Sequence, residues 1–275
     1  MSWQKVLRER GGAVTRQELR KAGIGDRALT AAVEDGRLLR PRRGVYALPG
    51  LAAEGRAALA AGGRLSCVSA ARSYGLWGGQ DGRLHLRVHP HAGRTADDAV
   101  RHWEPHDGSA ELWRVSLADC LRSVVDCADA ETAIAVLDTA LAARLVTMIG
   151  LRGMFAQSPA AARAVAACAR PGSDSGVESI LRQRLTARGH VVEQQVAVSG
   201  VGRVDARVDG VLYVEIDGFA FHGGREAFER DRTRDTALAL LGARRLRFPA
   251  RDLLTDADGV VSTIEAVLAT EEIRA

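Results

Sequence analysis

Apolar and polar residues alternate in two stretches near the end of the chain, over 204–208 and 212–216. Strict alternation is typical of a half-buried β-strand, and the Asp-Gly pair at 209–210 is a hairpin signal. A helix is predicted before them, because a Ser175–Glu178 capping-box pattern precedes apolar residues at helical spacing. The predicted elements are a helix of about a dozen residues from 176, strands over 191–198, 203–208 and 211–217, a helix over 227–241, a strand over 244–248 and a helix over 257–268. Their order is αβββαβα.

The first 50 residues follow a different pattern of short helices and an extended end. Thr15 and Glu18 form a second capping-box pattern, which predicts a helix through about Lys21. Asp26 is positioned to cap a third helix over 27–34, and the chain then turns extended over 38–48. This arrangement predicts a winged helix-turn-helix, in which the third helix enters the major groove of DNA.

The charge of the chain supports DNA as the partner of this segment. Residues 1–50 carry 11 basic and 5 acidic side chains, although the whole chain has a net charge of only +4. Basic residues clustered on one domain are the electrostatic footprint of nucleic-acid binding. We expect Arg27 on the third helix to contact DNA and the wing residues to neutralise phosphates, namely Arg40, Arg42 and Arg43. A helix-turn-helix that serves only protein contacts is the alternative.

The N-terminal pattern, which ends in a Gly-Val-Tyr strand at 44–46, resembles the N-terminal domain of AbiEi-type antitoxins. The resemblance implies a winged-helix DNA-binding domain over residues 1–50. Residues 51–170 resemble the rest of that architecture only loosely. They predict a mixed α/β middle domain with a helix near 66–74, an extended stretch over 84–88 and Ala-rich helices over 117–145.

Histidines are frequent in the middle segment and raise the question of a metal site. They stand at positions 85, 89, 91, 102 and 106, and they lack the regular spacing of zinc ligands. The four cysteines are scattered without a CxxC pair, so we expect reduced thiols rather than disulfides or a metal framework. The sequence therefore predicts surface histidines.

The polar face of the C-terminal hairpin carries three acids. The apolar residues of the two strands must lie on the same face of the hairpin, which predicts Asp205 opposite Tyr213 and Arg203 opposite Glu215. This register requires a three-residue loop over 208–210 in which Gly210 has a left-handed backbone. Asp205 and Glu215 then become diagonal neighbours, about 7–8 Å apart at their backbones. Two carboxylates at that separation can bind one Mg²⁺ or Mn²⁺ between them. Such an ion promotes nucleophilic attack on a phosphodiester by neutralising its negative charge. Asp217 lies on the same face, one step further along.

The αβββαβ order with these acids resembles the PD-(D/E)XK nuclease superfamily, which is restriction-endonuclease-like. Most members carry a lysine two residues after the Glu, whereas here that position is Asp217 and no lysine follows Lys21. His222 is the group left to accept a proton from water. A charged solvent face on an ordinary hairpin is the alternative for the three acids.

Three segments of the C-terminal region also resemble the very-short-patch-repair endonuclease and its uncharacterised relatives: 213–222, 229–235 and 242–248. By position, the resemblance assigns Asp205 to the metal, His222 to catalysis and Glu178 to the early helical acid. The repair enzyme has a threonine and a histidine at the positions of Ile216 and Asp217, so its detailed mechanism does not carry over.

Five residues around the predicted loop and helix have two interpretations each. Phe219 and Phe221 stand where the repair enzyme inserts aromatic side chains into distorted DNA, although loop phenylalanines also pack on their own domain. Asp231 can orient His222, or it can belong to an Arg-Asp ladder on a solvated helix. Arg230 and Arg234 belong to the same ladder and are candidates for contact with the scissile phosphate.

The sequence thus predicts an α+β protein of three domains over residues 1–50, 51–170 and 171–275. The leading function is a Mg²⁺-dependent DNA endonuclease, with mismatched, damaged or otherwise distorted DNA as a candidate substrate. The alternative is an antitoxin-type DNA-binding regulator with a non-catalytic nuclease-like domain, and a substrate of RNA or branched DNA stays open. Without an apolar run of about 18 residues or a secretory signal, the chain is expected in the cytoplasm.

Overall fold

A computed structural model describes residues 2–89, 98–103, 111–218 and 244–272 of the chain. Its mixed α+β architecture confirms the predicted fold class at that level. The chain divides into two compact units, Met1–Asp129 and Ala130–Ala275. The finer domain boundaries at residues 50 and 170 stay predictions. Within the described ranges, every helix is too short or too polar to cross a bilayer.

The first unit begins with three helices and a small antiparallel sheet. Its sheet has the order β1-β3-β2. The elements are α1 (Trp3–Glu9), β1 (Ala13–Thr15), α2 (Arg16–Lys21), α3 (Asp26–Glu34), β2 (Leu39–Arg42) and β3 (Val45–Ala47). The Thr15–Glu18 capping box is present, because Glu18 Oε2 accepts from Thr15 N and Thr15 Oγ1 accepts from Glu18 N. The helices surround a core that includes Leu7, Leu19 and Leu29, all fully buried.

One detail of α3 differs from the prediction. The N-cap is Gly25, and Asp26 is the first helical residue with no capping role. Instead, the Asp26 carboxylate accepts from Arg16 Nε at 2.8 Å and from Arg20 Nη2 at 2.9 Å. Asp26 therefore links the start of α3 to α2, because its carboxylate accepts from two guanidinium groups of α2 and not from the backbone of its own helix.

The rest of the first unit contains a second three-stranded sheet. The strand order is β4-β5-β6, with β5 parallel to β6. The elements are α4 (Ala53–Ala60), β4 (Arg64–Leu65), α5 (Cys67–Ser73), β5 (His85–Arg87), β6 (Val100–His102) and α6 (Leu117–Cys127). Arg87 is buried on β5 and pairs with Asp119 of α6 at 2.9 Å.

The second unit starts with four helices and continues into a four-stranded sheet. The helices are α7 (Ala130–Ala142), α8 (Met148–Phe155), α9 (Ala160–Cys168) and α10 (Gly176–Ala187). The strands are β7 (Val192–Val198), β8 (Gly202–Val208), β9 (Leu212–Asp217) and β10 (Arg244–Pro249), in the order β10-β9-β8-β7. The last helix, α11, covers Ala250–Glu272 with a kink at Asp256.

The described elements of this unit follow the order expected from the sequence. The strands β7, β8 and β9 are antiparallel neighbours, whereas β10 runs parallel to β9. A parallel neighbour requires a crossover connection. That connection lies in residues 219–243, so the helix predicted over 227–241 falls outside the described residues.

The register of the β8–β9 hairpin differs from the prediction by two residues. Val208 pairs with Leu212, and Arg207, not Asp205, lies opposite Tyr213. The loop is 209–211 rather than 208–210, although Gly210 is left-handed as expected, with φ +75°. Asp209 is left-handed too, and Val211 N donates to Val208 O, which makes a type I′ turn. The shift preserves the predicted face of every side chain because it is an even number of residues.

Candidate functional site

Asp205 and Glu215 lie next to the last observed pair of the β8–β9 hairpin. Ala206 pairs with Val214, and the two acids are the adjoining residues on the two strands. The Asp205 side chain bends across the strands, and its Oδ2 accepts from Ile216 N at 2.8 Å. Asp205 is half-buried, and Glu215 is only 6% exposed. Both acids thus lie on the polar face of the sheet as the alternation predicts.

Two arginines of β10 balance the acids of β9. In the parallel register Arg247 lies beside Glu215, and its Nη2 donates to Glu215 Oε2 at 2.9 Å. Arg245 donates to the same oxygen at 3.3 Å. Arg247 also lies 3.7 Å from Asp217 Oδ1. Sequence reasoning missed both arginines, although their alternation in β10 placed them on one face.

Glu178 of α10 approaches the same acids from the adjoining helix. Its Oε2 accepts from Gln195 Nε2 and from Asp174 N, each at 2.9 Å. Burial raises the pKa of Glu178, and the negative charge of Asp205 adds to that rise. The role of Glu178 in the acidic site stays a prediction.

Gln195 reaches Glu178 from a point in β7 where the backbone is irregular. Gln194 pairs with Ala206 and Val196 with Val204, so Gln195 and Asp205 are the residues between these two pairs. Gln195 adopts φ +52°, an uncommon conformation for a residue other than glycine. Nothing in the alternation of β7 signals this irregularity.

The acidic cluster, defined here as Glu178, Asp205, Glu215 and Asp217, combines four carboxylates with two guanidinium groups. The donor set consists of hard oxygen atoms, which suit Mg²⁺ or Mn²⁺. A divalent cation at these carboxylates stays a prediction from the sequence. Several predicted partners of this site lie outside the described residues: Phe219, Phe221, His222, Arg230, Asp231 and Arg234.

The predicted DNA-contacting arginines of the first unit are exposed. Arg27 lies in the first turn of α3, and Arg40, Arg42 and Arg43 lie on β2 and the turn into β3. Among the described residues, the ion pairs of this segment involve other basic groups, those of Lys5, Arg10, Arg16, Arg20 and Arg37. The wing therefore presents positive charge that its own acids do not neutralise.

The expectation of surface histidines is wrong for His85 and His102. Both are buried, and His85 Nδ1 lies 3.3 Å from His102 Nε2. They are close because β5 and β6 are parallel, with Arg87 opposite His102, so the two rings share a face of the sheet. His89 is exposed as expected, whereas His91 and His106 lie outside the described residues.

Two cysteines join the buried histidines. Cys67 begins α5 with φ +48°, an uncommon backbone conformation for a residue other than glycine, and Cys127 ends α6. One ligand atom from each of Cys67, His85, His102 and Cys127 lies within 4.8 Å of the others. We call these four residues the Cys/His cluster. Sequence reasoning dismissed it because its members are far apart in the chain.

A family model described as transcriptional regulator, AbiEi antitoxin, matches residues 4–49. These residues cover the helix-turn-helix and its wing, and the N-terminal segment is thus similar to that regulator domain, as its sequence pattern predicts. No curated protein matches the chain.

Proposed function

We propose that this protein binds duplex DNA through its N-terminal winged helix-turn-helix and acts as a transcriptional regulator of the AbiEi antitoxin type. The similarity of residues 4–49 to that regulator domain carries the proposal. The exposed wing arginines support it, because phosphate neutralisation by basic side chains supplies most of the non-specific affinity for DNA. Arg27 supports it as well, since residues at the start of a recognition helix contact base edges.

The test measures DNA binding by fluorescence anisotropy over a range of salt concentrations. The variant R40Q/R42Q/R43Q removes three charges from the wing. If all three contact phosphates, the slope of log K against log salt falls by roughly 2–3, since each contact contributes about 0.9. The matched control, R144Q/R152Q/R163Q, removes the same charge from exposed positions of the second unit and retains the wild-type slope. Equal slopes in wild type and wing variant would reassign the domain to protein contacts.

A regulator must also select a DNA sequence. Selection of genomic fragments by the full chain, followed by competition with random duplex, is expected to identify a site bound at least about 10³-fold more tightly than other DNA. Arg27→Gln is then expected to weaken binding to that site by about 5–160-fold, which corresponds to the 1–3 kcal/mol of a good side-chain-to-base contact. Binding without sequence preference would count against a regulatory role.

Metal-dependent hydrolysis of a DNA phosphodiester is a second candidate function, favoured by the positions of Asp205 and Glu215 on adjacent strands next to the Ala206–Val214 pair. Asp205, Glu215 and Asp217 are the residues that would hold Mg²⁺ or Mn²⁺. When bound, the ion would supply Lewis-acid stabilisation of the scissile phosphate. Arg247, which donates to Glu215, would supply a counter-charge to the phosphate. His222 is the proposed proton acceptor, and Phe219 and Phe221 are proposed contacts to distorted DNA.

Cleavage of labelled duplexes tests this second function. The substrates are intact, nicked and singly mismatched DNA with Mg²⁺ or Mn²⁺, and the variants are Asp205→Asn and the control Glu193→Gln. Glu193 lies on the neighbouring strand β7 and pairs with Arg207, outside the acidic cluster. Hydrolysis is expected to fall at least 100-fold in Asp205→Asn and to persist in Glu193→Gln. No cleavage of any substrate, or equal cleavage by the Asp205 variant, would leave regulation as the function.

A further inference from the structure

The Cys/His cluster brings together the ends of four elements in the first unit. Cys67 lies at the start of α5, His85 on β5, His102 on β6 and Cys127 at the end of α6. Cys67, His85 and His102 are buried, and Cys127 is the exposed member. The separation in sequence is large, yet the four ligand atoms lie within 4.8 Å of one another.

The distances inside the cluster suit a tetrahedral ion. His85 Nδ1 lies 3.3 Å from His102 Nε2 and 3.8 Å from Cys127 Sγ. In a tetrahedral zinc site, with Zn–N of about 2.0–2.1 Å and Zn–S of about 2.3 Å, neighbouring ligand atoms are about 3.3–3.8 Å apart. The nitrogen–nitrogen separation matches an edge of such a tetrahedron, and the nitrogen–sulfur separation is roughly 0.2 Å longer than its ideal edge.

An acid outside the cluster orients one of the histidines. His85 Nε2 lies 3.2 Å from Asp81 Oδ2, and Asp81 is itself held by Arg83 at 2.8 Å. A carboxylate acceptor at Nε2 fixes the proton on that nitrogen and leaves the lone pair of Nδ1 directed at the cluster. Metal-bound histidines as a rule donate their other ring N–H to a carboxylate, a backbone carbonyl or water, which sets the tautomer and raises the basicity of the ligating nitrogen.

We infer that Cys67, His85, His102 and Cys127 bind one Zn²⁺ as a structural Cys₂His₂ site. Thiolate and imidazole ligands select zinc over the hard cations suited to the acidic cluster. Four protein ligands leave no open position, which separates a structural zinc site from a catalytic one. Binding converts two thiols to thiolates and releases their protons to solvent, so the site with its ion carries no net charge.

The zinc would join two helices to two short strands of the first unit. The strands β5 and β6 have three residues each. Strands this short contribute few ladder hydrogen bonds, so ligands on both of them would fix their register. The site is separate from the proposed nuclease metal and from the winged helix, and its existence depends on neither proposed function.

Metal content and cobalt binding of the full chain test the inference. Purified protein is expected to contain one zinc per chain. After reduction and chelation, Co²⁺ alone is expected to bind with 1:1 stoichiometry and to give the visible absorption of tetrahedral cobalt with thiolate charge-transfer bands. Cys127→Ser, at the exposed corner, is expected to weaken cobalt binding at least tenfold. The control Cys168→Ser replaces an exposed cysteine of the second unit and retains the spectrum.

Several results would overturn the site. They are a reduced, folded chain that binds no cobalt, a Cys127→Ser variant with wild-type affinity, and loss of the spectrum in Cys168→Ser. His102→Gln provides an independent check, because it removes a nitrogen ligand and leaves both thiols in place. A cobalt spectrum unchanged in His102→Gln would exclude the Cys₂His₂ assignment. A Cys67–Cys127 disulfide in freshly purified protein, with no zinc present, would do the same.

Discussion

Arg247 donates from Nη2 to Glu215 Oε2 at 2.9 Å, at the point where the parallel strands β9 and β10 lie side by side. Glu215 is 6% exposed, and Arg245 donates to the same oxygen atom. In this geometry Glu215 is the counter-ion of two arginines. A cation at the acidic cluster would therefore compete with Arg247 for the Glu215 carboxylate.

Removal of the Glu215 side chain is expected to destabilise the second unit strongly. Glu215→Ala leaves Arg245 and Arg247 beside a buried position without their shared carboxylate, and breaking a buried ion pair typically costs about 3–5 kcal/mol. The partial exposure of both arginines puts the expected loss near the lower end of that range. Urea unfolding followed by far-UV circular dichroism measures it. Glu193→Gln, which alters an exposed pair with Arg207 on the same sheet, is expected to cost under about 1 kcal/mol. Equal losses in the two variants would contradict the structural role of Glu215.

A second buried carboxylate joins two helices of this unit. Asp138 of α7 is fully buried and accepts from Arg170 N at 2.7 Å, from Ser179 Oγ at 2.7 Å and from Arg182 Nη2 at 2.9 Å. We expect Asp138→Ala to cost about 3–5 kcal/mol, because Arg182 would remain buried without its partner. The double variant D138A/R182M is expected to recover part of that loss, since it removes the orphaned charge. A double variant less stable than Asp138→Ala would show that Arg182 contributes chiefly by packing.

The strands of the C-terminal sheet follow from the sequence because alternation and an Asp-Gly turn are local signals. Predicted and observed bounds of β7, β8 and β9 agree within one residue. The register was wrong because alternation fixes the pairing only to within an even number of residues. The conformation of the turn decides the rest, and here both Asp209 and Gly210 are left-handed.

Some of the site residues can also be predicted from local sequence signals, and others cannot. Asp205 and Glu215 stand out in the sequence because they interrupt apolar strands at regular positions. Arg247 and Gln195 do not, since Arg247 acts through a parallel neighbour and Gln195 through a left-handed backbone conformation inside a strand. The Cys/His cluster is hidden for a related reason. His85 and His102 meet only through strand pairing, so no short ligand motif exists to find.

The link between α2 and α3 is expected to weaken in acid. Hydrogen bonds from Arg16 and then Arg20 hold the pKa of Asp26 well below its ordinary value. A carboxyl group whose pKa is lower in the folded than in the unfolded state stabilises the fold. This stabilisation is fully present above the pKa of the unfolded state, about 3.9, and it is lost as the pH falls through the pKa of the folded state. Asp26→Asn is therefore expected to lower the melting temperature slightly at pH 7 and pH 5. The difference from wild type should shrink below about pH 4, and a difference that grew on acidification would contradict the assignment.

Removal of zinc is expected to destabilise the first unit alone. All four tryptophans lie in it, at positions 3, 77, 103 and 113, so their fluorescence reports the unfolding of that unit. A ligand that binds only the folded state raises the free energy of unfolding with the logarithm of the ratio of its free concentration to its dissociation constant. At a ratio of about 1,000 the increase is about 4 kcal/mol. A zinc-selective chelator should therefore shift the urea midpoint of the fluorescence transition downward, and added Zn²⁺ should restore it. Cys127→Ser should begin at the lower midpoint and respond to neither reagent. A chelator effect of equal size in Cys127→Ser would mean that the metal binds elsewhere.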